Sequence, residues 1–355
     1  MPYIKKIICF TDSLGRGGAQ RQLVGLASML KDKGYDVKVV VYFDNAFYKH
    51  LLDDAGVDSV VIANTKNVLK RLWLLFVYFR KQNTDVLIAY QETPSLIACL
   101  FRPFMRWRKL IVSERNTTQT IGLKDKVRFW LWRYADVIVP NSLSQAKFIT
   151  TEVPQQASKV VAITNFVDTQ SFIPVQQRKK NKIRNLVVVA SNKPEKNFNR
   201  FAQAIKIAQQ ERKFVVKWYG IAESKLSQCQ DYVATLGLEN VFEIYPPQVS
   251  ILPKLQESDF FCLPSLFEGY PNALCEAMSC GLPVACSRVC DNPSILEDGG
   301  GFLFDPLDVN DMALKIVQLV ALSDKDLVDY GKVNRAIAER KFSRDRFIRQ
   351  YCDLI

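Results

Sequence analysis

Two glutamates, Glu268 and Glu276, stand eight residues apart in the stretch PSLFEGYPNALCEAMSCGL, residues 264–282. Two carboxylates can share general acid–base work across a glycosidic bond, or they can flank a site for an anionic ligand. The first sits in a Glu-Gly-Tyr-Pro turn. The second lies in a segment of helical spacing that Pro271 is placed to open, because proline has a helix-compatible φ and no N–H to leave unsatisfied at the first helical position. The amides behind such a helix start attract anions, phosphate above all. The residues three and four away from Glu276 are Asn272, Ala273, Ser279 and Cys280, so its own helix supplies no cation to pair with it. Its neighbours Leu274, Ala277 and Met278, with the strand-like DFFCLP ahead, predict burial, and a buried carboxylate without a pairing cation calls for a function. The alternative for both glutamates is a solvated surface charge.

Alternating elements position this stretch. IKKIICF (4–10) reads as a strand, TDSLGRGG (11–18) as a glycine-rich turn, and the segment to Gly34 as a helix with Leu23, Leu26, Ala27 and Leu30 on one face. A second strand, DVKVVVYFD, follows, which makes the opening of a Rossmann-like unit. The dinucleotide fingerprint fails at its third glycine, where Gln20 stands, although Asp44 ends the second strand. Further strands are expected at SVVIA (59–63), DVLIAY (85–90), KLIVSE (109–114), DVIVPN (136–141) and KVVAITN (159–165). After the basic stretch FIPVQQRKKNKIR (172–184) the pattern restarts with NLVVVAS, FVVKWYG, VFEIY, DFFCLPS and PVACS. The fold class is therefore α/β, with two Rossmann-like domains facing each other across a cleft that is the natural ligand site. The expected divisions are an N-terminal domain at 1–171, a linker at 172–184, a C-terminal domain at 185–342, and a C-terminal helix at 343–355 free to pack back on the first domain.

Composition excludes several classes. A single histidine, His50, leaves nothing for a histidine triad. Nine cysteines without a C-x-x-C pair fit reduced thiols and no structural zinc, so no metal is expected. The longest apolar run, Leu72 to Phe79, is eight residues, far short of the roughly 20 that span a bilayer. MPYIKKIICF turns polar at Thr11 and reads as a strand rather than a leader, so a cytoplasmic protein is expected. Residues 1–180 hold 27 Lys and Arg against 14 Asp and Glu, and the remainder 21 against 22. All the excess charge sits in the first half and points to an anionic partner there. No nucleic-acid-binding signature accompanies it. FRPFMRWRK (101–109) and LKDKVRFWLWRY (123–134) interleave cations with aromatics. On a helix, Trp130, Leu131 and Tyr134 share one face and Lys124 and Arg128 another. The aromatics are expected to pack on the sheet and the basic residues to meet anionic lipid head groups.

Several motifs together resemble one family. They are Gly17-Gly18-Ala19-Gln20 with LASMLKDKGYDV, TNFVD (164–168), KPEKN (193–197), LGLENVFEI (236–244), and Glu268 to Glu276 followed by AMSCGLPV. In order and spacing these resemble the GT-B glycosyltransferases, specifically the retaining nucleotide-sugar transferases of family 4. Ser113-Glu114-Arg115-Asn116 looks like the subgroup that builds capsule, O-antigen or lipopolysaccharide-core sugars. The resemblance implies that Glu268 lies by the donor sugar, Glu276 holds the ribose, Lys196 meets the diphosphate, and the amides of Asn272, Ala273 and Leu274 meet the distal phosphate. It also sets Gly17, Gly18, Gly220, Pro247, Gly269 and Tyr270 around the donor. Where the family carries an arginine, this chain has Ser191, with Lys193 as the nearby substitute, a point charge in place of a bidentate fork. The family's donor-side histidine is missing, and Glu114 or Arg115 is expected to take its place in catalysis.

The activity so implied is transfer of a hexose or N-acetylhexosamine from a UDP-sugar to a lipid-linked or lipopolysaccharide acceptor, with retention and no metal cofactor, at the inner face of the membrane. Glycoside hydrolysis, a sugar-nucleotide epimerase of the same fold, and a non-catalytic membrane-surface binder are the competing readings.

Overall fold

A computed structural model describes residues 3–115, 118, 121–176 and 183–355. The chain forms two compact units, Met1–Asn165 with Asp345–Ile355, and Phe166–Arg344. Each unit is built on a six-stranded parallel sheet.

The first sheet holds β1 (Lys6–Phe10), β2 (Asp36–Val41), β3 (Asp58–Val61), β4 (Val86–Tyr90), β5 (Lys109–Glu114) and β6 (Val137–Pro140), in the order β3-β2-β1-β4-β5-β6. The second holds β7 (Arg184–Val189), β8 (Phe214–Tyr219), β9 (Phe242–Tyr245), β10 (Phe260–Leu263), β11 (Val284–Ser287) and β12 (Gly301–Phe304), in the order β12-β11-β10-β7-β8-β9. Both sheets grow two strands outward from their first strand, then cross to its other side. The order reverses between β1 and β4 in one and between β7 and β10 in the other. Register is fixed there by pairs such as Ile7 opposite Val86 and Phe260 opposite Leu186.

Strands such as VLIAY (β4) and FFCL (β10) are buried at every position, as parallel strands covered by helices on both faces must be. Alternation decides which core each side chain joins. In the second unit Leu186, Val188, Trp218, Phe260 and Cys262 pack on one side of the sheet with Phe198 and Phe201. Val187, Tyr219, Phe261 and Leu263 pack on the other with Leu274 and Met278. Each large apolar side chain so buried contributes about 1.5–3 kcal/mol. The first unit is centred on Phe10, Phe79, Trp107 and Trp132, with Phe79 edge-on to both Phe10 and Trp107.

Several local expectations change. The first unit ends at Asn165, and 166–171 belong to the second, where the Val167 amide donates to the Phe342 carbonyl. Of the 172–184 stretch, 177–182 lie outside the described residues. KVVAITN is not a full strand: Val161 and Ile163 donate to Ile138 and Pro140, and only Val160 pairs with β6. β12 is a strand that the sequence reading did not contain. The helix Arg344–Leu354 buries Phe347, Ile348 and Tyr351. Its end is held by Lys109, whose Nζ donates to the Leu354 carbonyl at 2.7 Å.

No described helix is long and apolar enough to cross a membrane. None of the nine cysteines forms a disulfide, and seven of them are buried.

Candidate active site

In a parallel sheet, ligands bind beyond the carboxyl ends of the strands where the strand order reverses. In the second unit the segments that leave β7 and β10 meet at that place. After β7 the chain passes Ser191 and Lys193 and makes a single tight turn, Pro194–Lys196. It then takes a left-handed step at Asn197, φ 60°. Asparagine tolerates that step, and here its side chain is put to use: Nδ2 donates to the carbonyls of Pro264 (3.1 Å) and Pro306 (2.8 Å). The Leu266 amide donates to the Glu195 carbonyl at 2.8 Å. Backbone and amide bonds thus tie the two loops together.

This closure brings Lys196 and Glu268 into an ion pair, Nζ to Oε1 at 2.6 Å. Ser265 Oγ donates to the same oxygen at 2.6 Å, and the Glu268 amide donates to Cys290 Sγ at 3.4 Å. The pair is mostly shielded, with side-chain exposures of 20% and 12%, so the lysine is aimed rather than free to wander. Ser265 and Cys290 were not singled out from sequence. Ser265 stands in the PSLFEG run three residues before Glu268, a spacing from which a serine can reach a carboxylate; Cys290 comes from beyond β11 and left no local signal.

The helix that follows runs Asn272–Ser279. Pro271 is not its first residue, as expected, but the residue before it: at ψ 99° its backbone is still extended. The consequence for anion binding is the same. The first-turn amides have no intrahelical acceptors, and the residue before them, Pro271, offers no side-chain cap. Glu276 is 4% exposed, between Cys275 and Ala277, as its apolar neighbours predict. Glu276 takes part in a further interaction within the protein. Leu274 is wholly buried, and the Tyr270 ring packs edge-on against Phe342. Both side chains belong to the core, so what these two positions offer a ligand is backbone. Gly269 lies in the turn between Glu268 and Tyr270.

Gly220 and Pro247 leave the ends of β8 and β9. Gly220 has φ 119°, and a Cβ there would stand 2.6 Å from the Ala190 carbonyl oxygen. That oxygen already accepts from Trp218 Nε1 at 2.8 Å. Only glycine lets β8 turn away this close to the loop that carries Ser191. Beside it the rings of Tyr219 and Tyr245 stack at 4.7 Å, 12° from parallel.

Gly17, Gly18, Glu114 and Arg115 belong to the first unit. Gly17 precedes and Gly18 begins the helix Gly18–Asp32. Gln20, at the position of the missing third glycine, donates from Nε2 to Asp12 Oδ1 at 3.1 Å and so closes the loop on itself. Glu114 and Arg115, expected to act in catalysis, are both buried. The Arg115 guanidinium lies 4.0 Å over the Tyr90 ring and donates to Asn165 Oδ1 (3.1 Å) and the Tyr351 hydroxyl (2.6 Å). It fastens the C-terminal helix to β5. Glu114 ends β5 with no exposed surface. Asn116 lies outside the described residues.

Burial pushes the Glu114 carboxyl up to about 7, against the nearby cation of Arg128; Glu92 and Asp125 add to the rise. Arg128 is itself buried, 3.0 Å from Glu92, 3.4 Å from Glu114 and 2.9 Å from Asp125. It therefore does not meet lipid, as the sequence reading had it. Because the folded-state value lies above the 4.5 of an ordinary glutamate, protonation favours the fold. Glu114 lends stability that is complete below about pH 4.5, declines as pH rises, and is gone above about pH 7. The swing is about 3 kcal/mol. Urea denaturation between pH 5 and 8 is expected to show this fall, and Glu114→Gln to flatten it; an unchanged slope in the variant would refute the assignment.

Comparison with known proteins agrees with the fold. Residues 16–171 match a family model described as Glycosyltransferase Family 4, and 183–321 match one described as Glycosyl transferases group 1. A Campylobacter jejuni protein, N-acetylgalactosamine-N,N'-diacetylbacillosaminyl-diphospho-undecaprenol 4-alpha-N-acetylgalactosaminyltransferase, is 21% identical over 80% of this chain and 81% of its own. The Escherichia coli UDP-Gal:alpha-D-GlcNAc-diphosphoundecaprenol alpha-1,3-galactosyltransferase is 30% identical over 50% of this chain and 48% of its own. Among solved structures, a glycosyltransferase from Rickettsia africae superposes with TM-score 0.86 at 16% identity, over 99% of this chain and 98% of that one. Anabaena HepE, solved with UDP and glucose, superposes at 0.84 and 18%, over 99% of both chains. These likenesses of structure show the fold. Matched in both halves and folded as its relatives are, the chain belongs to the GT-B glycosyltransferases of family 4.

Proposed function

We propose that this glycosyltransferase moves a hexose or N-acetylhexosamine from a UDP-sugar to a lipid-linked or lipopolysaccharide sugar, with retention, in the synthesis of a cell-surface polysaccharide. The observation that carries the reading is the Lys196–Glu268 pair at the strand-order reversal, beside a helix start that follows Pro271. A departing nucleoside diphosphate develops negative charge on its distal phosphate. A shielded lysine and first-turn amides stabilise that charge through fixed dipoles that need no reorganisation, and no metal cofactor is called for. In this reading Lys196 meets the diphosphate and the amides of Asn272, Ala273 and Leu274 the distal phosphate. Glu276 holds the ribose. Ser191, Lys193, Gly220, Pro247, Gly269 and Tyr270 line the donor. Glu268 orients Lys196 and accepts from the donor sugar; with Oε1 already taken by two donors, it positions rather than removes a proton. The departing phosphate then assists front-face attack by the acceptor hydroxyl.

The C. jejuni and E. coli relatives are named for acceptors on diphospho-undecaprenol, the latter for UDP-Gal as donor, and HepE was solved with UDP. These names support a uridine nucleotide and a lipid-linked acceptor, and with the basic first half they support work at the anionic inner face of the membrane.

A thermal-shift panel of nucleotides and sugar nucleotides tests the donor. UDP and one UDP-sugar in excess are expected to raise Tm by about 5 °C or more, and GDP and ADP forms to do little. Stabilisation by a purine nucleotide alone would overturn the uridine assignment.

A further inference from the structure

Two helices of the first unit expose apolar stripes at helical spacing. On Val68–Lys81 the stripe is Leu69 and Trp73, continued by the half-buried Phe76 stacked on Trp73. On Leu123–Leu131 it is Leu123, Val127 and Trp130. Spacings of i, i+4 and i+7 place each set along one side of its helix. The exposed members are between 46% and 79% accessible, so these are not the edges of core residues. The helix Glu92–Phe101 joins the two stripes. Its Phe101 touches Phe76, which also meets the exposed Phe104, and its Leu96 lines a pocket of about 430 Å³ together with Leu123 and Val127. Leu100, one turn beyond Leu96, is exposed as well. A soluble surface seldom carries so extended an apolar strip without a partner.

Cations outnumber acids around the strip, and Glu92, which lines the same pocket as Leu123 and Val127, is paired with Arg128. Residues 59–84 and 93–113 contain no Asp or Glu and nine Lys and Arg between them. Lys70, Arg80, Arg106, Lys124, Lys126 and Arg133 are exposed around the stripes. Asp125, the acid of the second helix, is tied to Arg128 and the Gly122 amide. A second copy of the chain would bring cations against cations across such an interface. A bilayer with anionic head groups supplies both an apolar interior edge and the complementary charge.

We propose that this face is a membrane-insertion surface, in which Leu69, Trp73, Phe104, Leu123, Val127 and Trp130 enter the acyl boundary of an anionic bilayer while the flanking lysines and arginines hold the head groups. This deepens the membrane part of the reading above and does not depend on the donor. The charge asymmetry alone implied attraction to lipid; the structure adds an apolar wedge whose removal must matter even where all the charges remain.

Flotation of the full chain with phosphatidylcholine vesicles, with and without phosphatidylglycerol, tests it. The parent is expected to float with phosphatidylglycerol vesicles only, less so at high salt. Trp73→Ser/Trp130→Ser is expected to lower vesicle affinity about tenfold or more, and Lys70→Glu/Lys126→Glu to do likewise, with Tm unchanged in both. The other three tryptophans, Trp107, Trp132 and Trp218, are buried, so a blue shift of emission on vesicles reports Trp73 and Trp130 alone and is absent from the double serine variant. Failure of the parent to float, flotation of the serine variant like the parent, or a parent dimer that the serine variant dissociates would each overturn the proposal. The UDP-sugar thermal shift, which these variants leave intact, separates this failure from failure of the donor assignment.

Discussion

Glu276→Ala is expected to bind UDP and UDP-sugars about a hundredfold or more weakly than the parent and to transfer sugar at a correspondingly reduced rate, with the fold unchanged. The argument is geometric. Asn272 opens the helix and Glu276 lies four residues on, about 6 Å along the axis at 1.5 Å per residue. A diphosphate held at the helix start therefore brings its nucleoside ribose level with Glu276, where one carboxylate can accept from two adjacent hydroxyls. Hydrogen bonds to a charged group contribute about 1.5–3 kcal/mol each, and 1.4 kcal/mol is a factor of ten in affinity. Two lost bonds therefore exceed a hundredfold. Calorimetric titration with UDP measures it, with circular dichroism to show that truncation beside Cys275 and Ala277 has not disturbed the core. Glu276→Gln keeps one acceptor oxygen and should fall between. Parent-like affinity in the alanine variant would remove Glu276 from the donor site.

Much of the fold was legible because its signals are local. β5 is KLIVSE, residue for residue as read, and most other strands agree within one or two positions, since buried parallel strands are short apolar runs bounded by breakers. KVVAITN has the same composition and is not a full strand, because strandhood depends on a partner that the sequence does not display. The acidic pair was legible through its spacing and apolar neighbours, and Lys196 through the resemblance of KPEKN to the family's motif. The surroundings of the first-unit candidates were not. Glu114 and Arg115 were expected to stand in for the family's missing histidine, and nothing in the sequence signalled that Arg115 is held by Tyr90, Asn165 and Tyr351, two of them far away in the chain. Arg128 failed likewise: a helical wheel gives its face but not the three carboxylates that draw it inward. Periodicity predicts which side of an element is buried, and long-range pairing decides whether a buried cation is structural or functional.

Lys196→Met is expected to lower kcat by about 10²–10³ with a smaller change in KM, the loss seen when one preorganised donor to developing charge is removed. The methionine keeps the length and apolar stem of the lysine and deletes only the charge. Glu268→Gln distinguishes how the pair works. Glu268 Oε1 accepts from Lys196 at 2.6 Å and from Ser265 at 2.6 Å, so part of its effect passes through the lysine it aims. If aiming is its whole contribution, Lys196→Met/Glu268→Gln is no slower than Lys196→Met, because nothing remains to be aimed. If Glu268 also accepts from the donor sugar, the double variant is slower still by that separate interaction. A Lys196→Met enzyme with parent kcat would show that the diphosphate is stabilised by the helix amides alone, and the ion pair would then be a clasp between the loops after β7 and β10, read out as a lowered Tm rather than a lowered rate.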